Sequence, residues 1–220
     1  GYFTAVSHGA FQLEPFGGKD LPFKITECSI KRFPLGQYSQ TVVQAALEVR
    51  EQLADVSDIA EINVSTLQTA VNIMAGDPEK WRPTNRETAD HSIPYTAAVA
   101  LMYGEVGEQH FGDEYLQNQA LLDLVAKVKV SVSEEANRRV PEAMLSKVEV
   151  ITESGQRYSS EVDYHKGHYK NPLTDAEVEE KFRSLADGVI PDARTNGLLG
   201  RLWQLEEVAH VNELIGRART

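Results

Sequence analysis

Two short runs carry side chains that can do chemistry together. Lys31-Arg32-Phe33-Pro34, followed by Ser39-Gln40, sets a cationic doublet just before a proline bend. Ala89-Asp90-His91-Ser92-Ile93-Pro94-Tyr95 gathers an acid, an imidazole, a hydroxyl and a phenol at the head of a long apolar stretch. An ammonium grips a carboxylate, and an imidazole exchanges a proton near neutral pH. The chemistry these types suggest is holding a carboxylate and moving a proton beside it. Lys31 has two options. Buried, it loses its charge more easily and can act as a base; solvated, it stays charged and anchors an anion. Each residue also has a plainer use: a solvated doublet at a strand end, a capping histidine, a core tyrosine.

A third run, His165-Lys166-Gly167-His168, spaces two imidazoles as zinc ligands are often spaced. A third ligand is not evident and the run follows a hairpin strand in a polar loop, so no metal is expected. Glycine-rich phosphate loops and a G-x-S-x-G nucleophile turn are absent. The single cysteine, Cys28, excludes an internal disulfide and a Cys-ligated cluster within this chain, and suits a reducing cytoplasm. The net charge of −11 repels nucleic acid and anionic lipid, so neither is an expected partner. It repels acidic substrates too, which would require a local basic pocket, with Lys31 and Arg32 as its candidates. No apolar run of membrane-spanning length is present.

The elements that must position these residues follow from periodicity. Residues 23–32 alternate weakly and predict a strand ending at Pro34. Val42, Ala46, Val49 and Leu53 predict a helix over 38–54. A strand is expected over 59–67, with Ile62, Val64 and Thr66 on one face. Thr84 and Glu87 fit a capping box opening a helix over 86–104, interrupted by Pro94. That interruption places 91–95 at a working point. A helix over 116–126, a strand over 127–133, a hairpin of 145–152 and 157–164 around Gly155, and a boxed helix from Thr174 to about 187 follow, then helices to about 217. The expected class is α+β with a mostly antiparallel sheet and packed helices. Residues 1–22 read as a short helix and a connecting segment, 23–187 as the α+β domain, and 188–220 as C-terminal helices. Gly1-Tyr2-Phe3 is apolar at once and without an initiator Met, which leads us to expect the interior of a longer protein.

With these segments in view, the chain resembles the MmgE/PrpD family. The likeness rests on Ser29-Ile30-Lys31-Arg32-Phe33-Pro34 with Ser39-Gln40, on Glu87-Thr88-Ala89-Asp90-His91-Ser92-Ile93-Pro94-Tyr95, and on Gly167-His168 with Asn171-Pro172-Leu173-Thr174-Asp175. Gly1-Tyr2-Phe3 and Leu202-Trp203-Gln204-Leu205-Glu206 also look like family positions. That resemblance implies a cytoplasmic lyase on small polycarboxylates, without an iron–sulfur cluster or other cofactor. The family includes 2-methylcitrate dehydratases, cis-aconitate decarboxylases and iminodisuccinate epimerases. It implies a lid domain whose C-terminal helices pack on an all-helical half, here a separate chain or a missing segment, in an oligomer. By resemblance Lys31 and Tyr95 face one another across the site, with His91 as a further catalytic residue and Arg32, Ser92 and Gln40 as substrate contacts. Two positions depart from the family pattern. Some decarboxylases carry a histidine where Gly36 stands, and dehydratases commonly carry one where Tyr38 stands. Decarboxylation loses more ground than dehydration or epimerisation. A scaffold subunit that has lost catalysis is the reading from another class.

Overall fold

The computed structural model describes residues 2–7, 9–12 and 15–218. Its sheet is built on β1 (Ile59–Thr66), where Ile62, Val64 and Thr66 point inward as the alternation predicts. Ile59 also points inward, at odd spacing from Ile62, because the pairing with the neighbouring strand slips one residue between Ile59 and Glu61. Strand β2 (Val128–Val132) lies parallel to β1, with Ile62 opposite Val128. On the other side β3 (Ser146–Thr152) and β4 (Arg157–Val162) run antiparallel, giving the order β2-β1-β3-β4. The α+β class with a mostly antiparallel sheet is therefore correct, with one parallel pair that local alternation does not reveal. Gly155, at φ +82°, makes the expected hairpin turn.

Around the sheet run α1 (Tyr2–Ala5), α2 (Gln40–Arg50), α3 (Gln68–Met74), α4 (Arg86–Asp90), α5 (Ile93–Tyr103), α6 (Asp113–Leu116), α7 (Gln119–Val125), α8 (Glu134–Arg139), α9 (Asp175–Ala186), α10 (Asp192–Leu202) and α11 (Asn212–Ala218). Helix α2 packs on β3 and β4, and α5 on β2, α2 and α7. The residues of α5 from Ile93 to Leu101 are all buried, which is why its sequence is apolar on every face. The junction of α2 with the sheet is polar and closed: the Ser146 hydroxyl meets those of Thr41 and Thr66, each at 2.9 Å. None of the helices in the described residues is long and apolar enough to cross a membrane.

Several expected elements differ. Residues 23–32 form no strand. A 3-10 turn occupies Lys24–Glu27 and the rest is extended but unpaired with the sheet. The Ile30 N–H donates to the Gly167 carbonyl at 2.8 Å instead. Helix α4 is capped by Asn85, which accepts from the Thr88 N–H at 2.9 Å, and not by Thr84. The predicted interruption is real. Ser92 caps α5 through the Tyr95 N–H at 3.0 Å, and Pro94 sits in the first turn, where its missing donor costs nothing. The Thr174–Glu177 capping box on α9 forms as predicted.

Tyr95 belongs to the interior. Its ring is fully buried near Phe111, and its hydroxyl donates to the His110 carbonyl at 2.7 Å. Burial pushes the phenol above its ordinary pKa. The expectation that it faces Lys31 across an open site is corrected here: a buried hydroxyl needs a partner, and the nearest is a carbonyl of the core. Tyr95→Phe leaves that carbonyl unpaired, so we expect a loss of about 1–3 kcal/mol in urea unfolding. An unchanged midpoint would contradict this assignment.

Candidate active site

The site is assembled by one turn. Gln40, the first residue of α2, is fully buried, and its amide reaches back to the residues before the helix. Its Oε1 accepts from the Phe33 N–H at 3.2 Å. Its Nε2 donates to the carbonyls of Phe33 at 3.0 Å and Leu35 at 3.3 Å. This side chain is thus fixed on the backbone of 33–35, which corrects its expected role as a substrate contact.

The folded turn delivers Gly36 against the α4–α5 break, where its N–H donates to the Asp90 carbonyl at 2.9 Å. A Cβ at Gly36 would lie 2.6 Å from Met74 Cε and 3.1 Å from His91 Cδ2, so a larger residue there would make the Met74 side chain give way. The next side chain, Gln37, goes the other way, to His165, at 3.1 Å between the two Nε2 atoms. Upstream, Ile30 lies on Gly167, whose φ is +98° and where a Cβ would stand 2.0 Å from the Ile30 oxygen. The three runs singled out in the sequence therefore meet along residues 30–40.

His91 closes α4 with its ring on the surface. Nδ1 lies 2.5 Å from Asp90 Oδ1 and 3.2 Å from the Glu87 carbonyl. The imidazole is 43% exposed, while Asp90 is only 15% exposed. With acceptors on that side, Nδ1 carries the proton, and Nε2 is left as an open lone pair without a partner among the described residues. A carboxylate behind a histidine fixes its tautomer and steadies the imidazolium, which is the arrangement of a general base. Lys31 is exposed, and its ammonium has no ion-pair or hydrogen-bond partner among the described residues. That placement suits the anchoring option rather than a desolvated base.

Ser92 is another correction. Its hydroxyl donates to the Lys80 carbonyl and accepts from the Tyr95 N–H, and the residue is fully buried, so it caps a helix and does not meet substrate. Arg32 stacks on the Phe33 ring at 5.6 Å and stands 3.7 Å from Glu177. It borders a cavity of about 560 Å³ between residues 32–34, the loop 104–109 and α9. Five carboxylates line it (Glu105, Glu108, Glu177, Glu180, Asp187) against two cations, Arg32 and Lys181. Such a balance disfavours a polyanion, so this cavity is not where an acidic substrate belongs.

For metal binding, His165 is fully engaged: Nδ1 meets the Lys166 carbonyl at 2.9 Å and Nε2 meets Gln37. Burial holds it below the ordinary histidine pKa. Among the described residues one group, Glu87, Asp90 and His91, brings ligand atoms within 4.8 Å of one another. Its Glu87 side chain is 87% exposed, and the Asp90–Nδ1 contact would have to open. Sequence reasoning gave no positioning role to Asp90, Gln37, Gly36 or Gly167, and weighed His165 only as a metal ligand. The Asp directly before His91 was the available signal; the others depend on contacts across the fold.

Comparisons with known proteins show what the chain is similar to. Residues 33–205 match the family model described as the MmgE/PrpD C-terminal domain. The chain is 23% identical over 184 residues to "Cis-aconitate decarboxylase" of Homo sapiens, covering 83% of this chain and 38% of that one. It is 28% identical over 121 residues to "2-methylcitrate dehydratase" of Salmonella typhimurium, covering 52% and 23%. To "2-methylcitrate dehydratase, mitochondrial" of Yarrowia lipolytica it is 25% identical over 214 residues, covering 89% and 40%. The chain thus spans between about a quarter and two fifths of the length of these relatives.

Gly167→Ala tests the convergence. Strain at positive φ and the clash with Ile30 should together cost about 2 kcal/mol or more in urea unfolding. A variant as stable as the parent would mean that 30–40 is not seated on the 165–171 loop.

Proposed function

This chain belongs to the MmgE/PrpD family, and on that footing we propose that it forms the lid half of a hydro-lyase acting on a small polycarboxylate of the 2-methylcitrate kind. One observation carries the proposal: an open imidazole, backed by a carboxylate, sits where residues 30–40 cross the α4–α5 break, and the cation of Lys31 rides on the same segment. Lys31 holds a substrate carboxylate and balances charge as the adjacent carbon gives up its proton. His91 Nε2 takes that proton. The C–O bond on the neighbouring carbon then breaks, the electron pair of the C–H bond becomes the double bond, and the imidazolium returns its proton to the departing hydroxyl as water. Arg32, held toward Glu177, is a weaker carboxylate contact.

Position 36 bears on the choice of reaction. The histidine that some decarboxylases of the family carry there is glycine here, which favours dehydration or epimerisation over decarboxylation. Epimerisation shares the first proton abstraction and is recognised by solvent deuterium entering substrate without loss of water.

An all-helical half completes the site, as a second polypeptide or another segment of the same one. Supporting this, Phe16, Phe23 and Ile25 are 66, 62 and 77% exposed, and Trp203, Val211 and Ile215 of the C-terminal region are 47, 65 and 52% exposed. Apolar surface left in water at roughly 25 cal/mol per Å² favours a covering partner. In the enzyme assembled with that half, Lys31→Ala and His91→Gln should each lower turnover of 2-methylcitrate or citrate by ~100-fold or more. The 220-residue chain alone should be inactive. Full turnover in either variant, or in the chain alone, would overturn the reading; binding of these acids without turnover in the assembled wild type would favour the scaffold.

A further inference from the structure

Lys31 stands on a segment that joins no strand, so something outside the sheet must fix where its ammonium goes. The Ile30 N–H, one residue away, donates to the Gly167 carbonyl at 2.8 Å. The place of Lys31 therefore follows the place of the 165–171 loop. That loop has its own support. The Lys166 N–H donates to Gln44 Oε1 at 2.6 Å, and the Gly167 N–H donates to the Asn171 carbonyl at 2.8 Å. Gln44 lies one helical turn after Gln40 on α2, and Glu48 one turn further, so the three share a face. Gln40 grips the backbone of 33–35, and Gln44 grips the backbone of the loop.

The direction of this chain of bonds is set by its ends. A backbone N–H can only donate, so Gln44 presents its oxygen to Lys166 and its NH₂ to the other side. There the NH₂ donates to Glu48 Oε1 at 3.1 Å, and the second Glu48 oxygen accepts from the Ser160 hydroxyl of β4. Gln44 and Glu48 therefore satisfy one another in a single orientation. Gln44, Glu48, Ser160 and Lys166 are all half-buried, where such bonds are stronger than in open water. At the far end of its side chain, the Lys166 ammonium stands 3.2 Å from Glu177, which also lies 3.7 Å from Arg32.

We infer that Gln44 is a positioning residue for Lys31, acting through the loop backbone from Lys166 to Gly167 and on to Ile30. The inference rests on Lys31 being the carboxylate anchor of the proposed reaction, and it adds the support on which that anchor depends. Lysine is a point charge on a flexible stem, so it holds a carboxylate in one place only where its backbone is fixed. A misplacement of about 1 Å at such an anchor can lower a rate by up to ~100-fold.

The assembled enzyme tests this with Gln44→Met, Lys31→Ala and the two together, by kcat/KM on 2-methylcitrate and citrate. Gln44→Met keeps the length of the side chain and loses both bonds, and it should lower kcat/KM by ~10-fold. In the Lys31→Ala background the same change should cost less than about twofold, because the residue it positions is gone. A merely structural role would cost the same factor in both backgrounds. A second variant restores the bonds with the roles exchanged. In Gln44→Glu with Glu48→Gln, the new carboxylate accepts from Lys166 and from the new amide, and kcat/KM should return to within about threefold of wild type. Gln44→Glu alone sets two carboxylates face to face and should stay low. This exchange carries the test if Gln44→Met does not assemble. Equal losses in both backgrounds, no loss in Gln44→Met, or an exchange no better than Gln44→Glu alone overturns the inference and leaves the anchor standing. A Lys31→Ala enzyme with full turnover, or a wild type that turns over neither acid, overturns the parent reading and this inference with it.

Discussion

The buried amide of Gln40 is the constraint on which the site depends. A turn of Phe, Pro and Leu between an exposed strand-like segment and a helix has backbone groups that the sheet does not satisfy. Gln40 supplies both an acceptor and donors to them from inside the core, where an unpaired amide or carbonyl would cost about 1–3 kcal/mol. With those bonds made, the path of 33–36 is fixed. Gly36 can lie only against Asp90 and His91, Gln37 only against His165, and Ile30 only against Gly167. The same side chain thus explains why three runs far apart in sequence share one surface.

Function and stability divide cleanly along α5. Its interior side is a dry core of alanine, valine and leucine, with Tyr95 tied to the 110 carbonyl. Its N-terminal end is a polar seam. Asn85 and Ser92 cap successive helices, and the break between those caps leaves the His91 imidazole at the surface with the Asp90 carboxylate beside it. A continuous helix would have buried that junction. The proline in the first turn of α5 tolerates the break without losing a hydrogen bond. The acidic hollow under α9 shows the converse: volume alone does not make a site for an anion when carboxylates outnumber cations.

Much of this was legible in the sequence where the physics is local. The alternation in 59–66 and 128–132, the hairpin at Gly155, the break at Pro94 and the Thr174 cap all follow from residues within a turn of one another. What failed was decided by tertiary partners. Residues 23–32 alternate weakly, yet they pair with no strand: the Ile30 N–H is taken by the Gly167 carbonyl of the 165–171 loop instead. Gln40, Ser92 and Tyr95 carry the polar groups a site would use, but each is buried and engaged with backbone, which no spacing rule reveals. Gly36 and Gly167 stood out in the sequence through the resemblance, but the contacts they make were visible only once the segments they touch were known. His91 was visible as a titratable residue at a helix break; the carboxylate that orients it was one position away and went unassigned.

The central claim is that Lys31, His91 and the turn between them address one ligand. A crystal structure of the assembled enzyme soaked with tricarballylate or citrate tests it most directly. The account predicts a carboxylate about 3 Å from Lys31 Nζ, with the carbon chain lying over Gly36 and Gln37 and facing His91 Nε2. A ligand seated instead in the acidic hollow between the 104–109 loop and α9, or one that leaves Lys31 and His91 on separate faces, would contradict it.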